Sequence, residues 1–185
     1  SSTMVNKVFE IIEAKKIFKL NIKKIKILSH PDSYVHAIVK FKNGLTKILI
    51  HDTNMKIPIF NSLHQKKSPN IKSNKLNISK LNNLNLKEIS TKQFPSLNII
   101  KFFNRRNDSL LETVLVSAND ELVNLFLINK IKFLDITKKL NIILKLSEFR
   151  KLRLKKPNNL AQIIQLNTYV RLKTRALCVV SNDDA

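Results

Sequence analysis

The only glycine of the 185-residue chain, Gly44, lies between two apolar segments at residues 34–42 and 46–50. In the first segment apolar and polar residues alternate, so that one face carries Val35, Ala37, Val39 and Phe41. Alternation beside an Asn43-Gly44 pair predicts two antiparallel strands joined by a type I′ turn, in which both central residues have positive φ. A polar residue between the apolar ones, such as His36, is expected on the opposite face.

Most of the remaining chain has helical periodicity. Apolar residues at helical spacing, Val5, Val8 and Ile12 among them, predict an amphipathic helix over residues 3–20. A short strand is predicted at residues 25–28 and a Lys-, Ser- and Asn-rich connector at 64–85. Helical patterns return at 97–103, 110–127, 136–146 and 160–177. The predicted fold class is α+β: residues 1–88, including the linker, with a helix and a hairpin, and residues 89–185 as a carboxy-terminal helical bundle.

The chain has a formal net charge of +21, carried mainly by lysine. Two explanations remain open. Clustered Lys and Arg bind phosphate backbones, so segments such as residues 150–156 fit a basic RNA-binding or interaction module. Few aromatic residues interleave these charges, which leaves little material for base stacking. Overuse of Lys, Asn and Ile together is also typical of AT-rich coding sequence on any fold, and we favour that explanation.

Several features limit the class of protein. No apolar run is long enough to span a membrane, and the first residues lack the order of a signal peptide. Cys178 has no cysteine partner for a disulfide. A single glycine excludes a G-x-G-x-x-G dinucleotide-binding loop. Because the chain begins with Ser1 inside a helical pattern, we expect its beginning to be missing.

Ordered motifs resemble those of the 1-deoxy-D-xylulose 5-phosphate reductoisomerases. Residues 1–14, SSTMVNKVFEIIEA, are similar to the family's S-A-T-M-M-N-K-G-L-E-x-I-E-A segment. The next three are HPDSYVH at 30–36 for H-P-Q-S-x-x-H, FKNG at 41–44 for F-x-D-G, and NMKIPI at 54–59 for P-D-M-R-x-P-I. Later segments, FPSL at 94–97, SAND at 117–120 and IKFLDI at 131–136, match F/Y-P-x-L, A-A-N-E and I-x-F-x-D-I. The resemblance covers nearly the whole chain.

The resemblance implies an activity that needs more than this chain. The family rearranges and reduces 1-deoxy-D-xylulose 5-phosphate to 2-C-methyl-D-erythritol 4-phosphate, in non-mevalonate isoprenoid biosynthesis. It uses NADPH and a divalent metal, manganese or magnesium. The family's amino-terminal half, which carries the NADPH-binding Rossmann domain, two of three metal-binding carboxylates and a flexible flap, has no counterpart here. We therefore expect residues 1–185 alone to be inactive.

The resemblance also assigns site residues. Glu10 matches the third metal-binding carboxylate, and Ser1, Asn6 and Lys7 match residues that hold the substrate phosphate. Helical spacing independently places Asn6, Lys7 and Glu10 on one surface near a helix start, where the dipole favours anions. Without the family, a Lys and a Glu at this spacing would usually be a solvated ion pair.

Three further residues are expected at the site. The resemblance places His36 near bound substrate, Ser33 near the phosphate, and Met55 on the nicotinamide side of the cleft. The residues alone leave other roles open: His36 as a surface histidine, Ser33 as a turn residue after Pro31 and Met55 as core. His30 is interpreted as structural, and His51 has no motif support.

The resemblance implies a homodimer formed through the catalytic domain, a phosphorylated sugar as the small-molecule partner, and no membrane. Nucleic acid is a partner only if the chain is an inactive relic. The compartment stays open between a bacterial cytoplasm and a plastid or apicoplast.

Some positions depart from the family pattern. Val8 replaces a glycine and is expected to add bulk near the pocket. Thr53-Asn54 replaces Pro-Asp.

Overall fold

The computed structural model describes residues 3–64, 70–103 and 108–179. Ser1, assigned above to the phosphate, lies outside these residues. The helices are α1 Val5–Phe18, α2 Lys56–Leu63, α3 Ile78–Asn82, α4 Leu110–Leu127, α5 Phe133–Lys145, α6 Ser147–Arg150 and α7 Leu160–Val179. The strands are β1 Leu28–Ser29, β2 Val35–Lys40, β3 Thr46–Ile50 and β4 Lys87–Glu88. Short 3₁₀-helices span Ile22–Lys24, Pro95–Phe102 and Lys151–Leu154. The predicted α+β class is confirmed.

The described chain forms two compact units: unit 1 is Ser1–Lys26 with Ser90–Ala185, and unit 2 is Ile27–Ile89. The second break lies next to the predicted domain boundary at residue 88. Helix α1, which the prediction grouped with the hairpin, belongs instead to the same unit as the carboxy-terminal helices. The division into domains at 1–88 and 89–185 stays a prediction.

The core of unit 1 is built around α4. Its apolar side chains repeat at helical spacing, and Val114, Leu115, Ala118 and Leu122 are fully buried. Helix α4 packs against α5 and α7, and the Pro95–Phe102 segment packs against α1 and α5. Burial of this apolar face supplies most of the stability of such a bundle.

Helix α1 joins this core through one face. Val5, Val8, Ile12 and Lys15 recur at helical spacing, and all four are buried. The helix ends at Lys19, whose left-handed backbone lets its N–H donate to the carbonyl of Lys15. Val8 is 0% exposed, so its side chain packs in the core. Whether Val8 also adds bulk near the pocket, as expected from the sequence, stays a prediction.

Unit 2 contains the predicted hairpin, in which β2 and β3 pair antiparallel. The type I′ prediction is wrong: among residues 41–45 only Gly44 has positive φ, at 89°. The Phe41 N–H donates to the Leu45 carbonyl at 2.8 Å and the Gly44 N–H to the Phe41 carbonyl at 3.2 Å. This closes a three-residue loop in which a glycine with positive φ follows a turn. The Asn43 side chain supports it by accepting from the Leu45 N–H.

Other boundaries differ from the predictions. The strand predicted at 25–28 begins only at Leu28, after a 3₁₀-helix at residues 22–24, and pairs with β4. The segment predicted as a helix at 97–103 is a 3₁₀-helix that begins at Pro95. The predicted connector contains the short helix α3, in which the Lys80 N–H donates to the capping side chain of Asn77.

Candidate functional site

The carboxylate assigned to the metal lies on the exposed side of α1. Lys7 Nζ donates to both oxygens of Glu10, at 3.0 and 2.8 Å. The two side chains are 42% and 55% exposed. An exposed pair of this kind contributes at most about 1 kcal/mol, so it is easily opened by a ligand that competes for either charge. The structure therefore brings Lys7 and Glu10 together, as their spacing predicts.

Asn6 lies on the same helix, one turn before Glu10, and is exposed. Two residues before it, the N-cap residue Met4 has a left-handed backbone with φ 58° and makes no side-chain capping hydrogen bond. The Lys7 N–H donates to the Met4 carbonyl at 3.1 Å. The first turn of α1 thus presents the Asn6 amide and the Lys7 ammonium near the positive end of the helix dipole, and the Glu10 carboxylate follows in the second turn.

The chemistry of Glu10 suits a divalent metal. A carboxylate supplies the hard oxygen that Mg²⁺ and Mn²⁺ prefer, and its exposure leaves room for a further ligand. Within residues 3–64, 70–103 and 108–179, however, no three His, Cys, Asp or Glu side chains form a metal-binding group. The role of Glu10 as a metal ligand therefore stays a prediction.

Unit 2 carries the other assigned residues. Ser33 is exposed and has a left-handed backbone with φ 49°, which fits its place in the turn before β2. Met55 is 68% exposed immediately before α2, so the alternative that it is a core residue is wrong. His30 has a structural contact, as interpreted from the sequence, because its Nε2 accepts from the Val35 N–H at 2.9 Å.

His36 occupies an irregular position in the hairpin. Val35 pairs with Ile50 and Ala37 pairs with Leu49, so His36 is the extra residue of a β-bulge. Because Ile50 and Leu49 point to opposite faces of β3, Val35 and Ala37 also do so. The prediction of one continuous apolar face from Val35 to Phe41 is therefore wrong at its first residue.

His51 is a neighbour of His36 that the sequence analysis did not identify. Its ring lies parallel to that of His36, with centroids 3.5 Å apart and an interplanar angle of 5°. His36 Nε2 also lies 3.1 Å from the His51 carbonyl oxygen. The signal that could have found it is its position at the end of β3, opposite the start of β2.

Two solved structures with this fold are reductoisomerases. A reductoisomerase of Zymomonas mobilis, solved with NADPH, matches 95% of this chain and 45% of its own, with TM-score 0.78 and 28% identity. A DOX-P reductoisomerase solved with NADPH, fosmidomycin and magnesium matches 97% of this chain and 45% of its own, with TM-score 0.84 and 26% identity. The fold is therefore that of the carboxy-terminal part of these enzymes.

The family model for the DXP reductoisomerase C-terminal domain matches residues 51–173, and the chain belongs to that family. The 1-deoxy-D-xylulose 5-phosphate reductoisomerase of Pelagibacter ubique is 55% identical over 97% of this chain and 46% of its own length. That of Aquifex aeolicus is 30% identical over 96% of this chain and 45% of its own. The chain spans less than half the length of these curated relatives.

Proposed function

We propose that this chain is the carboxy-terminal part of a 1-deoxy-D-xylulose 5-phosphate reductoisomerase, an NADPH-dependent oxidoreductase and isomerase. The observation that carries the proposal is the 55% identity to the Pelagibacter ubique reductoisomerase across almost the whole chain. The exposed side of the first two turns of α1 supports it, since Lys7 and Glu10 provide one cation for a phosphate and one carboxylate for a metal.

Within this proposal each residue has a stated task. Asn6 and Lys7 hold the phosphate of the sugar substrate, together with Ser1 and Ser33, through amide, ammonium and hydroxyl donors. Glu10 is the metal ligand that this chain supplies, and the Lys7 ammonium leaves it for the phosphate when both ligands are bound. A divalent metal, when bound, polarises the substrate oxygens on which negative charge develops. His36 contacts the substrate, and Met55 lies against the nicotinamide.

The same proposal includes a homodimer formed through the hairpin layer. Val39, Phe41 and Leu49 are 48%, 42% and 58% exposed, which is unusual for a large apolar set in one hairpin.

The relatives named above are bacterial, which favours a bacterial cytoplasm over a plastid. Among the described residues no helix is long and apolar enough to cross a membrane.

The proposal is tested with a chimera. The part of the Pelagibacter ubique relative that precedes its match is joined in frame to residues 1–185, and NADPH oxidation is followed at rising substrate and Mg²⁺ concentrations. We expect oxidation that depends on both additions and that is absent for residues 1–185 alone. A folded chimera that binds NADPH but oxidises none of it with substrate would contradict the proposal. Salt-sensitive RNA binding by that inactive chimera would then favour the basic interaction module.

A further inference from the structure

The bulge in β2 gives His36 a neighbour that regular pairing would not provide. A bulge bends its strand and changes the direction of the extra side chain, and bulges are frequent beside active sites. Here the extra residue is His36, and the chain that leaves β3 places His51 against it. Both residues belong to unit 2, as do all their contacts considered below.

His51 contacts His36 in two independent ways. The rings are stacked with their centroids 3.5 Å apart. The stacking restricts rotation of the His36 ring about χ2, an angle whose distribution is otherwise broad. The His51 backbone carbonyl lies 3.1 Å from His36 Nε2. A carbonyl oxygen only accepts hydrogen bonds, so His36 Nε2 is the donor in this contact and carries a proton.

His51 is itself held in place. Its Nδ1 lies 2.6 Å from the Asp52 carbonyl oxygen, so Nδ1 is the donor. The Asp52 side chain in turn accepts from the Asn74 N–H at 3.0 Å, which ties this corner of the chain to the segment after residue 70. His51 is partly buried, whereas His36 is exposed. The His51 ring is therefore held in one orientation beneath the exposed His36 ring.

We propose that His51 is a positioning residue for His36, and that it fixes both the plane of the His36 ring and the tautomer with the proton on Nε2. The inference rests on the proposed function, which places the sugar substrate beside His36. His51 contacts no substrate; it acts through the ring that does. Groups that orient a metal ligand change metal affinity or activity by about 10- to 100-fold when they are removed, and we expect His51 to have an effect at the lower end of this range.

The first test compares two replacements in the chimera. His51→Phe keeps a flat ring beneath His36, whereas His51→Leu has similar bulk but no ring to stack. We expect kcat/KM of H51L to fall about 10-fold and that of H51F to stay within about threefold of the unmodified chimera. Equal loss in both variants, or no loss in either, would overturn the proposal.

The second test asks whether His51 acts through His36. We expect His51→Leu to have no further effect on kcat/KM in a His36→Ala background, because coupled residues are non-additive. A loss of the same size in both backgrounds would overturn the proposal.

The third test does not need activity. In a chimera labelled with ¹³C and ¹⁵N in the histidine rings, His36 should show a protonated Nε2 and ring protons shifted upfield by the stacked neighbour. His51→Leu should remove the upfield shift, and His51→Phe should keep it. Unchanged His36 signals in H51L would overturn the inference. An unmodified chimera that is inactive, although it shows these signals, would instead overturn the proposed function on which the inference rests.

Discussion

Lys15 Nζ donates to Glu112 Oε1 at 3.0 Å, and the two side chains are only 2% and 8% exposed. Lys15 lies in the last turn of α1 and Glu112 in the first turn of α4, where each charge also favours the helix dipole. Lys16 Nζ, at 2.7 Å, neutralises the other oxygen of Glu112. The contact fixes the helix that carries Lys7 and Glu10 onto the main helix of unit 1.

Removal of Glu112 should be costly. Glu112→Ala leaves the Lys15 ammonium buried with weaker compensation from Asp108, which is 3.7 Å away, so we expect unfolding free energy to fall by about 3–5 kcal/mol. Lys15→Met combined with Glu112→Leu removes both charges and should cost much less. The midpoints of urea denaturation of the chimera measure this. Lys16→Ala, at a 45% exposed position, is the matched control and should cost at most about 1 kcal/mol.

Val8 tests whether the buried face of α1 is structural. Val8→Ala should lower the unfolding free energy by roughly 1–3 kcal/mol through lost burial. Val8→Gly, which gives the residue of the family motif, should cost about 1 kcal/mol more because glycine is unfavourable inside a helix. Substrate KM at a temperature where both variants are folded should not change. A lower KM for V8G would mean that Val8 does narrow the pocket.

Glu10 should control metal affinity. In the chimera, Glu10→Gln is expected to weaken Mn²⁺ binding by at least about 10-fold, because a residue that binds the metal should matter no less than one that only orients a ligand. Electron paramagnetic resonance of free Mn²⁺ measures this without turnover. Asp32→Gln also replaces an acid by an amide, with one extra methylene, at an exposed position where the family motif has glutamine, and it should leave the affinity unchanged. Equal affinities of E10Q and the unmodified chimera would exclude Glu10 as a ligand.

The buried thiol of Cys178 should make the unfolding free energy depend on pH. Burial raises the pKa of its thiol above the ordinary value of 9.0, and the nearby charge of Lys139 opposes this only partly. The folded state then holds the thiol proton more tightly than the unfolded state does. The thiol's contribution to the unfolding free energy is complete below the unfolded-state pKa of 9.0, and it decreases as the pH rises through the pKa of the folded state. The difference in unfolding free energy between the unmodified chimera and its Cys178→Ala variant should therefore decrease above that pH. A constant difference up to pH 11 would contradict it.

Local patterns predicted the elements better than their irregularities. The bounds of α4 agree with the predicted 110–127, since a long helix with a continuous apolar face has little alternative. The bulge at His36 was not predictable, because the alternation of Val35, Ala37 and Val39 continues through it unbroken. The turn type was mispredicted because Asn-Gly also fits a three-residue loop when only the glycine takes positive φ.

The site was predicted where its residues are neighbours in sequence. Lys7 and Glu10 meet because they lie three residues apart on a helix. The Lys15–Glu112 pair joins residues 97 positions apart, and the His36–His51 stack depends on strand register. Helical or strand periodicity contains no information on either contact, so both had to come from the three-dimensional structure.

The most direct measurement of the central claim is the identity of the product that the chimera makes from ¹³C-labelled 1-deoxy-D-xylulose 5-phosphate, NADPH and Mg²⁺. We predict that ¹³C NMR shows the label in the rearranged, branched skeleton of 2-C-methyl-D-erythritol 4-phosphate. The chimera with Glu10→Gln should leave the substrate largely unchanged. A folded, NADPH-binding chimera that returns only the linear substrate would contradict it.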